Sequence, residues 1–233
     1  MNFRGNMLAK ALVSEFVGTF AICFVALAVK ANLGEVPGGL LGIALANGLV
    51  VACFATAAGP ISGGHFNPAV TIGFWVVRKM DHLRASTYIG AQLAGAVAGS
   101  FFASSSFTND PNVAAKGLSA VELGSTVGAA FVAEIIATFM LMWVIYGTAV
   151  DQRQPKFGAL YIGLFVAVGI LAVGPVSSGA MNPARWFGPA VVTGDFSALT
   201  LFVGGPVAGA ILASVVYSWF LKEDANKKPE AIE

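Results

Sequence analysis

Ser62-Gly63-Gly64-His65-Phe66-Asn67-Pro68-Ala69-Val70 returns later in the chain as Ser177-Ser178-Gly179-Ala180-Met181-Asn182-Pro183-Ala184-Arg185. This repeat decides the fold. Asparagine is among the best helix N-caps, and proline suits the first helical position because its missing N–H would be unpaired there anyway. Each Asn-Pro-Ala therefore reads as the cap and first turn of a helix. Each of these helices is too short to cross a bilayer, yet each lies between segments that are long enough. A helix start held at membrane depth, made twice, marks a pore.

The composition supports a membrane setting. Hydrophobic residues make up 57% and charged residues 11%, where a soluble globule carries about 25% charged residues. Six segments pass the length test of roughly 17–25 mostly apolar residues: 8–29, 39–58, 83–107, 125–149, 157–173 and 198–221. The first contains Glu15 and no small-residue cleavage site, so it reads as a span and not as a cleaved leader. Arg4, Lys10, Arg78, Lys79, Arg84, Arg153, Lys156, Lys222, Lys227 and Lys228 fall on one side of a six-span arrangement, against Lys30 and Lys116 on the other. That bias predicts both termini in the cytoplasm, with the plasma (inner) membrane as the expected location. The net charge of +1 hides this asymmetry and implies no nucleic-acid partner. Residues 222–233 read as a solvated cytoplasmic tail. Cys23 and Cys53 lie inside spans and read as packing residues, with no disulfide or metal site. No nucleophile–base pair or metal cluster stands out, and the glycines of 34–39 lack the context of a phosphate-binding loop. No catalytic residue, metal ligand or cofactor is assigned, and the chain is not expected to be an enzyme.

The repeat extends beyond the boxes. Glu15-Phe16-Val17-Gly18-Thr19-Phe20 matches Glu134-Ile135-Ile136-Ala137-Thr138-Phe139, and Gly95-Ala96-Val97-Ala98-Gly99 matches Gly205-Pro206-Val207-Ala208-Gly209. Each half holds three spans and one half-helix. An odd number of crossings makes the second half enter from the opposite face, so the halves are inverted and the boxes meet near the midplane. The expected fold is an all-α membrane protein of six transmembrane helices plus two re-entrant half-helices. It forms one channel domain over 1–233, with a first repeat over about 8–107 and a second over about 125–221. The GxxxG spacings predict close helix packing. Irregular backbone at membrane depth is tolerated only where protein buries it or it lines a wet cavity. Loops 59–66 and 174–181 are therefore expected to line a pathway and to offer carbonyl acceptors along it. The stretches near 109–121 and 151–155 read as ordinary connections.

With these residues in view, the chain resembles the aquaporins of the major intrinsic protein family from Glu15 to about Leu221. The resemblance rests on both Asn-Pro-Ala boxes, on the run from Ser62 to Thr71, and on Met181-Asn182-Pro183-Ala184-Arg185. It implies a homotetramer in the lipid bilayer, one pore per subunit, and passive flow of water and small neutral solutes without cofactor. Aquaporins are themselves a standard illustration of selectivity by pore width, lining hydrogen bonds, and an arginine or half-helix dipoles. Each half-helix start carries roughly half a positive charge. Asn67 and Asn182 can cap with the oxygen while their amide N–H groups orient a passing water, which interrupts a proton wire. Arg185, expensive at membrane depth unless it faces water, takes the place of the constriction arginine. Asn47, Ile170 and Gly179 are carried over by motif spacing as its companions. That set lacks the aromatic ring and histidine of water-selective members and is similar to the plant tonoplast-intrinsic group, which predicts a wider opening with an amide on one wall. Glu15 and Glu134 are expected to support the re-entrant loops, and His65 to line the cytoplasmic half of the pore.

Two alternatives stay open at this point. One is a facilitator mainly for ammonia, urea, hydrogen peroxide or glycerol, although Trp186 replaces the aspartate that glycerol facilitators carry after the arginine. The other is a gradient-coupled secondary transporter, since broken helices and inverted repeats also build those.

Overall fold

The computed structural model describes residues 3–107, 113–114, 125–151 and 157–221. The tail 222–233, most of the 109–121 connection and residues 152–156 lie outside the described residues. With them go Lys116, Arg153, Lys156, Lys222, Lys227 and Lys228 of the charge-bias argument.

Among the described residues eight α-helices follow in order: α1 (Phe3–Leu33), α2 (Gly39–Ser62), α3 (Pro68–Val76), α4 (His82–Ser106), α5 (Val127–Ile145), α6 (Gly158–Ser177), α7 (Pro183–Thr193) and α8 (Gly205–Val216). A π-helical turn, Tyr146–Val150, extends α5, and two more, Thr200–Gly204 and Tyr217–Leu221, flank α8. The short helices are α3 and α7, with 9 and 11 residues. At a rise of about 1.5 Å per residue each spans only about half of a hydrocarbon core of about 30 Å.

The helices pack in matched pairs. Contacts of α1 with α4 and with α2 are mirrored by contacts of α5 with α8 and with α6. Likewise α4 holds α7, and α8 holds α3, while α2 meets α6 between the halves. This is the packing of two inverted three-helix repeats. Each half-helix is thus cradled by a long helix of the other half. The glycine pairs act as expected: a Cβ at Gly99 would strike the Phe20 carbonyl, and one at Gly209 the Ile135 carbonyl.

Three details depart from the sequence reading. Five of the long helices are apolar enough to cross a membrane by length and composition, and α4 is not among them. It has the length, 25 residues, but its serines, glycines and Gln92 lower its hydropathy. Gln92 and Ser100 point inward and are fully buried, so the polarity serves the interior and not solvent. Second, α2 and α6 run past Pro60 and Pro175 to Ser62 and Ser177, so the irregular loops are shorter than 59–66 and 174–181. A proline in the last turn forfeits one helical bond but leaves the turns on either side of it intact. The N–H groups of Gly63 and Ser178, both left-handed, bond back to the carbonyls of Gly59 and Gly174. Third, Cys53 lies on the outer surface and is not a packing residue, whereas Cys23 is buried as expected.

Candidate permeation pathway

The two boxes fold as local chemistry dictates. Asn67 has extended backbone, and its Oδ1 accepts from the Ala69 N–H at 2.9 Å, with Pro68 opening α3. Asn182 does the same for α7: Oδ1 accepts from the Ala184 N–H at 2.9 Å, with Pro183 in the first turn. Pro68, Ala69, Pro183 and Ala184 are buried behind the asparagines.

The remaining amide hydrogens do something the sequence did not disclose. Asn67 Nδ2 donates to the Met181 carbonyl at 2.8 Å, and Asn182 Nδ2 donates to the Phe66 carbonyl at 2.9 Å. Each asparagine therefore ties its own half-helix to the backbone just ahead of the other. A side-chain amide has two N–H donors, so one on each asparagine remains after this exchange. Both asparagines are nearly buried and both border one cavity of about 210 Å³.

Behind the boxes stand the two glutamates, both fully buried. Glu15 Oε1 accepts from the Ser62 hydroxyl (2.6 Å) and the His65 N–H (3.0 Å), and Oε2 from the Phe66 N–H (2.7 Å) and Gln92 Nε2 (2.8 Å). Glu134 Oε1 accepts from the Ser177 hydroxyl (2.7 Å) and the Ala180 N–H (2.8 Å), and Oε2 from the Met181 N–H (2.7 Å). Every partner is a donor, as an acceptor-only carboxylate requires. These bonds hold Phe66 and Met181 at φ 49° and 50°, a left-handed conformation uncommon outside glycine. That turn aims both carbonyls at the opposite asparagine.

The halves differ just behind these loops. In the first, Gln92 Nε2 also donates to Thr71 Oγ1 (3.0 Å), which lies 3.1 Å from His65 Nδ1. In the second, the repeat-related positions are Phe202 and Trp186, stacked at 6.5 Å in an apolar cluster. Trp186 thus fills a place that is polar in the other half. Gln92 and Thr71 were missed by sequence reasoning, and the only available signal was a glutamine inside a span. Ser62 and Ser177 were visible as repeat partners but carried no role.

Arg185 and its companions come together. Arg185 Nη1 donates to the carbonyls of Gly179 (2.8 Å) and Ala180 (2.9 Å), and Nη2 to Asn47 Oδ1 (3.0 Å). Gly179, at φ 59°, sits so close to Ile170 that a Cβ there would lie 3.0 Å from the Ile170 Cα. The four residues form one cluster, and Arg185 borders the cavity. The Asn47 amide accepts from Arg185 through Oδ1 and donates through Nδ2 to the Ile43 carbonyl at 2.8 Å. His65 does border the cavity, stacked on Phe74 at 4.9 Å. Beyond the asparagines the walls are apolar, with Val70, Leu141, Ile145, Ile162 and Val166. Among the described residues no group of three or more His, Cys, Asp or Glu could hold a metal ion.

A mostly apolar cavity bordered by two side-chain amides, an imidazole and a guanidinium suits small neutral molecules. Comparison with known proteins agrees. The family model described as Major intrinsic protein matches residues 2–217. The chain is 39% identical to Aquaporin AqpM of Methanothermobacter marburgensis, over 93% of this chain and 99% of that one. It is 38% identical to Aquaporin TIP2-3 of Arabidopsis thaliana, over 89% and 86%. To human Aquaporin-5 it is 40% identical, over 91% and 81%. The X-ray structure of the aquaglyceroporin from Plasmodium falciparum shares the fold, with a TM-score of 0.81 at 22% identity, over 91% of this chain and 96% of that one.

Proposed function

The chain belongs to the major intrinsic protein family and is a passive membrane channel for water and small solutes; we propose that it selects by the paired asparagines, the opposed half-helix starts and Arg185. The observation that carries this reading is the reciprocal bonding of Asn67 and Asn182 across the two loops, at the starts of α3 and α7. Each helix start presents about half a positive charge, and the two face a common cavity with low-dielectric walls. Cations and hydronium are repelled there, while neutral water is not. The N–H left on each asparagine donates to the oxygen of a passing water and turns its hydrogens along the conduit in opposite directions. A file of waters so oriented cannot relay a proton. Arg185 adds a full positive charge beside the same cavity.

The cluster of Asn47, Ile170, Gly179 and Arg185 carries no aromatic ring, which favours ammonia or urea as solutes beside water. We assign both termini to the cytoplasm, His65 to the cytoplasmic half of the conduit, and the protein to the plasma (inner) membrane as a homotetramer of single-domain subunits. The charge bias supports the orientation. The apolar outer faces of the helices, with Leu45, Leu49, Val132 and Ile136 exposed, support burial against lipid and neighbouring subunits.

Stopped-flow light scattering of proteoliposomes under water, urea, ammonia and glycerol gradients tests the reading. Fast water flux, linear in the gradient and indifferent to proton or sodium gradients, is expected, with ammonia or urea also accelerated. Saturable flux that follows an ion gradient would identify a coupled transporter instead.

A further inference from the structure

The turn between α3 and α4 carries a cluster of charge that permeation does not use. Crossing parity puts the end of α2, the end of α3 and the start of α4 at one membrane face, the face from which α1 sets out. There Trp75, Arg78, Lys79, Asp81, His82 and Arg84 border a second cavity, of about 470 Å³. Three of these side chains are permanent cations, all exposed, against one carboxylate. Asp81 spends Oδ1 on the Arg84 N–H (2.9 Å) as the N-cap of α4. Arg84 is anchored on its inner side, where Nε and Nη2 donate to Tyr88 Oη at 3.1 and 2.8 Å. That pair uses two of the five N–H donors of a guanidinium.

The backbone adds an independent observation. The Lys79 N–H bonds to the Phe74 carbonyl and the Arg78 N–H to the Trp75 carbonyl, both at 2.9 Å. This is the pairing that closes a helix on a left-handed residue, usually glycine. Here that residue is Arg78, at φ 59°. Glycine would take the turn more cheaply, so the reason for arginine lies in its side chain. Around the cations the surface is apolar. Trp75, Val76 and Leu83 are exposed, and His82 meets the Trp75 ring edge-on at 5.0 Å. Tryptophan beside arginine and lysine suits the headgroup level of a bilayer. A soluble anion would use the cations alone, whereas a ligand anionic at one end and hydrocarbon at the other uses both. We propose that this turn binds the phosphate headgroup of an anionic phospholipid. Arg78 and Arg84 donate to the phosphate, and Lys79, whose Nζ rests 5.4 Å over the Tyr146 ring, adds charge. The acyl chains lie along Val76 and Leu83. Such binding needs only that the turn lie at a membrane face, and it is independent of which solute permeates.

Native mass spectrometry of the full chain in detergent, titrated with dioleoylphosphatidylglycerol or dioleoylphosphatidylcholine, tests this. A basic residue near a membrane surface is worth about fivefold in affinity for anionic lipid. The first phosphatidylglycerol should therefore bind at least about tenfold more tightly than phosphatidylcholine. Arg78→Gly combined with Lys79→Gln should weaken phosphatidylglycerol by roughly tenfold or more and leave phosphatidylcholine unchanged. Glycine suits the left-handed turn, so the melting temperature should hold. Arg78→Gly alone, expected to cost about fivefold, carries the test if the double variant does not fold. Lys30→Gln combined with Lys116→Gln removes the same charge from the other face and should leave the preference intact. Equal affinity of the parental protein for the two lipids would overturn the proposal. So would an equal loss in the Lys30 and Lys116 variant, because net charge alone would then attract the lipid. Displacement of phosphatidylglycerol by excess inorganic phosphate would assign the cavity to a soluble anion and overturn the lipid as its ligand.

Discussion

At the scale of single residues, two buried carboxylates do the work of placing the conduit's backbone. Glu134 is fully buried and takes three donors with two oxygens. Glu134→Gln keeps the shape but turns one oxygen into a donor, so a donor must face the Met181 N–H or the Ser177 and Ala180 pair. An unsatisfied buried donor costs about 1–3 kcal/mol. For a chain of this size each kilocalorie lowers the melting temperature by about 2–4 °C. Thermal unfolding in detergent should therefore shift down by several degrees, and water flux should fall because Met181 no longer holds its carbonyl toward Asn67. An unaltered melting temperature with normal flux would show that the loop holds itself. The glutamates were legible from the sequence as repeat partners inside spans. The left-handed turns at Phe66 and Met181 were not, because neither residue favours that conformation and only the carboxylates make it worthwhile.

At the scale of elements, α3 and α7 were readable because cap and first turn are local chemistry, settled by Asn and Pro side by side. The ends of α2 and α6 were not. Pro60 and Pro175 are ordinary stop signals, and what overrides them is the fit of the last turn against the loop, with Ser62 and Ser177 reaching the glutamates. The polarity of α4 was similarly opaque, since Gln92 serves Glu15 across the interior and nothing along α4 itself reveals it. The packing of α4 on α1 gives a direct test. A Cβ at Gly99 meets the Phe20 carbonyl, and backbone cannot step aside as a flexible side chain can. Gly99→Val should destabilise by about 1–3 kcal/mol or more, read as a lower melting temperature and poorer recovery from membranes. Gly90, with open space around its Cβ position, should accept alanine without loss. Equal behaviour of the two variants would mean that α1 and α4 can separate at little cost.

At the scale of the whole molecule, the matched contacts of α1–α4 and α5–α8 describe two halves of like design. The resemblance is not complete: Thr71 and Gln92 in one half stand where Trp186 and Phe202 stand in the other. Both halves set the loop with a buried glutamate, backed in one by a polar network and in the other by aromatic packing. The inverted repeat was visible in the sequence through paired glutamates and glycines. The exchange between polar and aromatic backing was not, because the two positions in each pair come from different helices. If the halves complete one another, separately encoded fragments 1–124 and 125–233, expressed together, should assemble and conduct water. Either fragment alone should give none. Activity from a single fragment would mean that one half can close a conduit with a second copy of itself.

The bonds between Asn67 and Met181, and between Asn182 and Phe66, also set a timetable for synthesis. Their partners lie 114 and 116 residues apart along the chain. At about 5–20 residues per second, a nascent Asn67 waits roughly 6–23 seconds before its acceptor has even been made. Through that interval the first half-helix also lacks α8, the helix that cradles it. The first loop is therefore complete only once the second has been made, and the two lock together late in synthesis.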